Sequence, residues 1–236
     1  MRKVETILRQ VDMEVARTPS DLRDWVESKA EELCQTKEGR QYARSGESLP
    51  KKLWEELRPF GLFAFFRYRS RKDVRCTPNL GNENFDGRID FDDSTMPSVY
   101  VEITYAKDGR DESLRFEVMN QTGSVNLLGA ISVSGTKVAG SRRILVENEM
   151  VDHKETLEGA IKIVCERIVG KSRRTYGPNY ELVVVIDDYL PFRTEEDRRI
   201  LEDRVRATIN CADLDFGKIF LLGSSGNYLK QIYGNA

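Results

Sequence analysis

Apolar residues recur at helical spacing where the chain begins. Val4, Ile7, Leu8, Val11 and Val15 would share one side of a helix that stops at Thr18-Pro19. A second helix is expected next, with the stripe Leu22, Trp25, Val26 and Leu33, Pro19 in its first turn and Thr18 as its cap. Gly39, Gly46 and their polar neighbours make 39–49 read as a linker, followed by a short third helix over 50–57 ahead of Pro59 and Gly61. The pattern then changes to that of strands. GLFAFFRYRS, NFDGRIDF and VYVEITYA are short, aromatic or β-branched runs divided by turn formers, which predicts an antiparallel meander.

Beyond the meander, DGRDESLRFEVMNQ reads as a helix with Asp108 or Asp111 near its positive end and Gly123 as its stop. Strands are expected at 125–133 and 144–150, an inserted hairpin divided by GTKVAGS. A long helix over 155–174 leads to ELVVVIDDY, whose unbroken apolar run predicts a strand buried on both faces and paired in parallel. A helix over 195–209 and the strand KIFLLGSS complete a strand, helix, strand unit. The pattern therefore predicts an α/β chain: an N-terminal helical segment over 1–38, then a core over 50–236 with the hairpin inserted at 124–150.

Composition narrows the function classes. Charged residues are 32% and hydrophobic residues 39% of the 236, a balance that suits a folded globular chain. No apolar run approaches the roughly 18 residues of a membrane span, and the N-terminus lacks the apolar centre of a secretory signal, so a cytoplasmic protein with no membrane partner is expected. Cys34, Cys76, Cys165 and Cys211 are scattered and His153 is the single histidine, which argues against a cysteine/histidine zinc site. Cys165 shares an apolar stripe with Ile161 and Ile168 and reads as core filling; His153 reads as a surface or helix-end residue. The net charge of −2 provides no overall field for nucleic acid, so any such contact falls to local clusters: Arg67, Arg69, Arg71, Lys72 and Arg75, or Lys171, Arg173 and Arg174.

The chemically informative stretch is NFDGRIDF followed by VYVEITYA. Alternation places Asp86, Arg88, Asp90 and Asp92 on one face of the first strand, and Tyr100, Glu102 and Thr104 on one face of the second. If the two strands pair with their apolar faces toward one core, Asp86 and Glu102 lie on the same side and can share a cation. A hard ion such as Mg²⁺ or Mn²⁺ suits carboxylate oxygens and could activate water toward a phosphodiester. The bland alternative is that Asp86 opens an Asp-Gly bend and Glu102 faces solvent, although strands disfavour glutamate. Asp187-Asp188 and GSSG at 223–226 read as a strand end and a turn.

In these residues the chain resembles the PD-(D/E)XK, or restriction-endonuclease-like, nuclease superfamily. Phe85-Asp86 stands in the PD position, fifteen residues intervene, and Glu102-Ile103-Thr104 stands where the family has E-x-K. The resemblance covers roughly 50–189, in an order of elements like the family's α-β-β-β-α-β core. It implies a restriction-endonuclease-like mixed sheet flanked by helices, magnesium held by Asp86 and Glu102, and hydrolysis of DNA or RNA. An acid from the preceding helix, Glu55 or Glu56, is a further metal ligand in that reading. Thr104 departs from the pattern because it cannot supply the lysine's positive charge; Lys107, Arg115 or Lys171 would have to replace it. A catalytically inactive module that binds nucleic acid or a protein is the alternative. The N-terminal stripes would then pack on the core or form a homodimer.

Overall fold

The structure, a computed structural model, describes residues 7–44, 48–126, 130–135, 142–147, 152–209 and 214–234. Val4, Gly46, Cys211 and parts of both expected hairpin strands lie outside the described residues.

The chain enters through a single helical turn, α1 (Gln10–Met13). Leu8 and Met13 are buried, whereas Val11 and Val15 are 70% and 47% exposed, so the expected stripe from Val4 to Val15 does not form one helix face. The chain becomes extended after α1, and Arg17 exchanges backbone hydrogen bonds of 3.0 and 2.8 Å with Cys76, which breaks the helical phase. In α2 (Pro19–Cys34), Thr18 Oγ1 accepts from the Asp21 N–H at 3.2 Å, satisfying a first-turn donor as its sequence suggests. Its stripe of Leu22, Val26, Ala30 and Leu33 is buried in the chain's own core.

Two further expectations are corrected here. The supposed linker contains α3 (Lys37–Ala43), started by Thr36 Oγ1 accepting from the Gly39 N–H at 2.9 Å. The third helix does not stop at Leu57: α4 (Ser48–Lys52), a π-helical turn over Leu53–Leu57 and α5 (Arg58–Tyr68) follow one another without a break. GLFAFFRYRS is thus helix, not strand. Pro59, Phe60, Gly61, Leu62, Phe63 and Ala64 are all buried, because α5 lies between α2 and the sheet; a helix covered on both sides loses its 3.6-residue alternation.

The remaining elements are β1 (Val74–Pro78), β2 (Gly87–Phe91), β3 (Val99–Tyr105), α6 (Gly109–Thr122), β4 (Ile131–Ser134), β5 (Arg143–Val146), α7 (His153–Lys171), β6 (Gly177–Ile186), α8 (Glu195–Ile209), β7 (Phe216–Gly223) and β8 (Leu229–Tyr233). Six strands form one mixed sheet in the order β1-β2-β3-β6-β7-β8. β3, β6 and β7 run parallel, and the outer pairings are antiparallel. The first strand of the expected meander is β1, and β8 adds an edge the hydrophobic pattern did not announce. Among the described residues β4 and β5 pair with each other and not with the main sheet, in the stretch where the inserted hairpin is expected.

Helices cover both sheet faces. Val101, Ile103, Val183, Val185, Phe220 and Leu222 pack with α2 and α5, while Leu182, Val184, Ile186, Ile219 and Leu221 pack with α7 and α8. β6 is therefore buried on both faces from Glu181 to Ile186, as its apolar run predicts. α6 starts where Asp108 Oδ1 accepts from the Arg110 and Asp111 N–H groups and ends at Gly123, whose φ of 84° suits a residue without Cβ. Among the described residues no helix is long and apolar enough to cross a membrane.

Candidate functional site

The antiparallel register of β2 and β3 sets the site. Gly87 lies opposite Val101, so one step outward Asp86 stands beside Glu102, on the face opposite buried Val101 and Ile103. The Asp86 N–H donates to the Val101 carbonyl at 2.8 Å, and Asp86 Oδ2 accepts from the Ile103 N–H at 2.7 Å. This carboxylate is thereby pinned on the strand that carries Glu102. Gly87 is not a bend: it is extended strand, and a Cβ there would come within 2.5 Å of the Phe60 ring. The glycine admits α5 to the underside of the strand, directly behind Asp86.

Glu102 is only 5% exposed, an environment that leaves a carboxylate in need of a counter-charge. Lys171, in the last turn of α7, supplies it through a short ion pair with Glu102 Oε1. Thr104, two residues further along β3, is buried on the same face and lies opposite Val184. Glu56 comes from the π-helical turn, a local widening that often marks functional sites.

These groups act on one another. Burial, reinforced by the charges of Glu102 and Glu56, pushes the Asp86 carboxyl up to about 7, against the pull of the Ile103 N–H and Lys171. Burial likewise raises the pKa of Glu56; Lys52, 3.9 Å away, opposes it, and Glu55 and Glu102 add to it. The carboxyl groups of Asp86, Glu102 and Glu56 and the ammonium groups of Lys171 and Lys52 thus share a half-buried region. Among the described residues, no three acidic, histidine or cysteine side chains converge closely enough to hold a metal ion.

The other candidates lie elsewhere or have other partners. The Lys107 ammonium pairs with Glu55 at 3.5 Å and with Glu112, and stands over the Tyr105 ring. Arg115 Nε donates to the Asn126 carbonyl at 3.3 Å. Of the first basic cluster, Arg67 pairs at 3.2 Å with buried Glu181 and lies over Phe220, and Arg71 pairs with Asp73. Arg173 and Arg174 are exposed beside Lys171. Asp188 accepts from the Ser225 N–H at 2.9 Å and from the hydroxyls of Ser224 and Ser225, so it ties down the GSSG turn. His153 opens α7 and pairs at 2.9 Å with Asp197.

Two surface hollows, of about 360 and 510 Å³, are lined by residues of α6 with the hairpin and by α7 with α8; neither includes Asp86 or Glu102. Charge and burial mark out the carboxylate pair. Tyr176, absent from the residues nominated by sequence, lies close enough for the charges of Glu102 and Asp86 to act on its hydroxyl. Its signal was the pair of arginines followed by two tyrosines in RRTYGPNY. No family model, curated protein or solved structure matches the chain.

Proposed function

We propose that the chain is a divalent-metal-dependent nuclease of the restriction-endonuclease-like kind, hydrolysing phosphodiesters of DNA or RNA at Asp86 and Glu102. The observation that carries this reading is the paired placement of those two carboxylates on neighbouring strands, with Asp86 pushed up to about 7 beside Glu102. Carboxylates crowded in this way favour a cation, and their oxygens suit a hard ion. Asp86 and Glu102 would hold Mg²⁺ or Mn²⁺, with Glu56 next to them. When bound, the ion supplies Lewis-acid polarisation of the phosphate and a more acidic water.

The chain's own residues account for the rest. The Ile103 N–H orients the Asp86 carboxylate. Lys171 brings the positive charge that Thr104 lacks, arriving from α7 rather than from β3. In the reaction the oxygen of water bonds to phosphorus and gives up a proton to solvent, the bond from phosphorus to the leaving sugar oxygen breaks, and that oxygen takes up a proton from solvent. An ammonium at Lys171 would stabilise the extra phosphoryl charge at this stage. The mixed sheet, with its antiparallel β1-β2-β3 and a helix bearing Glu56 ahead of it, supports the family reading through element order.

One observation favours the inactive alternative: Lys171 already neutralises Glu102, and among the described residues no three acidic groups converge closely enough to hold an ion. A module that binds nucleic acid or protein without cleaving needs no more than this. Incubating the purified chain with single- and double-stranded DNA and RNA in Mg²⁺ or Mn²⁺ separates the two. Cleavage that disappears in Asp86→Asn and Glu102→Gln, and falls at least about a hundredfold in Lys171→Met, is expected. No cleavage, or cleavage indifferent to all three substitutions, sinks the catalytic reading.

A further inference from the structure

The sheet face that carries Glu102 also carries a row of aromatic rings. Phe85 and Tyr100 have centroids 4.9 Å apart, Tyr100 and Tyr180 4.9 Å, Tyr180 and Tyr176 5.4 Å, and Tyr176 and Phe216 4.2 Å. Tyr100 and Tyr180 are register partners across β3 and β6, with ring planes 23° apart. Tyr100 is two residues from Glu102 on the same face, and Phe85 adjoins Asp86. The row therefore borders the carboxylates.

Cross-strand aromatic pairs can serve only to hold a sheet together. Here, however, α7 and α8 cover only the inner end of the row. Tyr176 and Phe216 are buried in the α7–α8 core, while Phe85, Tyr100 and Tyr180 are half-buried. Exposed Arg173 and Arg174 lie in the segment that joins α7 to Tyr176, close in sequence to Lys171, and Arg174 acts on the Tyr176 hydroxyl, so the chain leading into the row is cationic. Tyr176 closes the covered end of the row. It is 7% exposed, and its hydroxyl has no hydrogen-bond partner among the described residues; the Arg174 guanidinium draws near without making a well-formed bond. Burial, with Glu102 and Asp86, raises its pKa, so the hydroxyl keeps its proton as a donor.

We infer that Phe85, Tyr100 and Tyr180, flanked by Arg173 and Arg174, form a stacking surface for the bases of single-stranded nucleic acid. This rests on the reading above and names the substrate class of the same site. Every base has a face that stacks on an aromatic ring, and arginines track the phosphates, whereas in a duplex those faces are covered by neighbouring bases. A strand lying along the row would bring a backbone phosphate beside Asp86 and Glu102.

Fluorescence anisotropy in EDTA, where no metal-dependent cleavage can occur, tests this with four labelled probes: oligothymidylate, oligouridylate, a hairpin duplex and an abasic strand of equal length. At least one of the two intact single strands should bind about tenfold more tightly than both the duplex and the abasic strand. Tyr180→Leu should weaken single-strand binding about tenfold, Tyr180→Phe should leave it unchanged, and Arg174→Gln should weaken all probes together. Equal binding of the abasic strand, duplex binding as tight as single-strand binding, no binding at all, or indifference to Tyr180→Leu overturns the inference. Should Tyr180→Leu not fold, the abasic comparison on the unaltered chain decides. Stacking without cleavage in Mg²⁺ would remove the nuclease reading and leave this one; cleavage of duplex as fast as single strands would do the reverse.

Discussion

Burial beside Glu102 pushes the Asp86 carboxyl up to about 7, whereas its ordinary value is 3.8. Between those values the folded chain holds a proton at Asp86 that the unfolded chain has released. Metal-free protein therefore loses stability as pH rises through the window from about 4 to about 7, by roughly 1–3 kcal/mol, and the contribution is level above it. Urea unfolding in EDTA at several pH values reads this directly. Asp86→Asn removes the loss, so the variant is the more stable of the two at pH 8. An identical pH slope in both proteins would show that Asp86 is not crowded. Asp86 and Glu102 were legible in the sequence because two-residue alternation in NFDGRIDF and VYVEITYA places their side chains on one face. Lys171 was one of three basic candidates there. Its contact with Glu102 depends on how the end of α7, packed on β6, comes near β3, and no local spacing encodes that.

Between elements, the closest fit near the site is that of α5 beneath β2. The Phe60 ring occupies the space a Cβ on Gly87 would need, only 2.5 Å from it, and Phe60 is fully buried. Gly87→Ala should therefore destabilise the chain by about 1–3 kcal/mol in chemical denaturation. Phe60→Leu in the same chain should recover part of the loss, a coupling that a double-mutant cycle measures. A fully additive cycle would deny the contact. The same packing explains why α5 was misread as a strand. GLFAFFRYRS is apolar nearly throughout because α2 covers one side and the sheet the other, and a short unbroken apolar run suits a strand as well as a buried helix. β6 shows the opposite outcome: ELVVVI is equally continuous, but its β-branched residues favour a strand, and the structure has one. β1 was hidden for another reason, since VRCTP is short and ends in proline.

Across the molecule, the N-terminal segment is part of the core rather than an appendage. Leu8 and Met13 are buried with the α2–α5 cluster, and Arg17 bridges to Cys76 on the outer strand of the sheet. Deleting residues 1–16 removes both side chains and should cost about 3–5 kcal/mol. It also loosens the cover over β1, so the shortened chain should self-associate as judged by light scattering. Unchanged unfolding and scattering would place this segment outside the fold. The stripe of α2, available for dimerisation in a reading of the sequence alone, is occupied within the chain.

The ion pair between Lys171 and Glu102 joins residues 69 positions apart, and the parallel pairing of β3 with β6 spans a comparable stretch of chain. Contacts of such long separation form late, because the intervening loop must close before they return any energy. During synthesis, Asp86 and Glu102 emerge from the ribosome well before α7 and β6 exist. The nascent chain thus carries its acidic residues without their lysine and without the Tyr180 half of the aromatic row. The site's full set of side chains is therefore assembled only once the C-terminal half has been made and has docked.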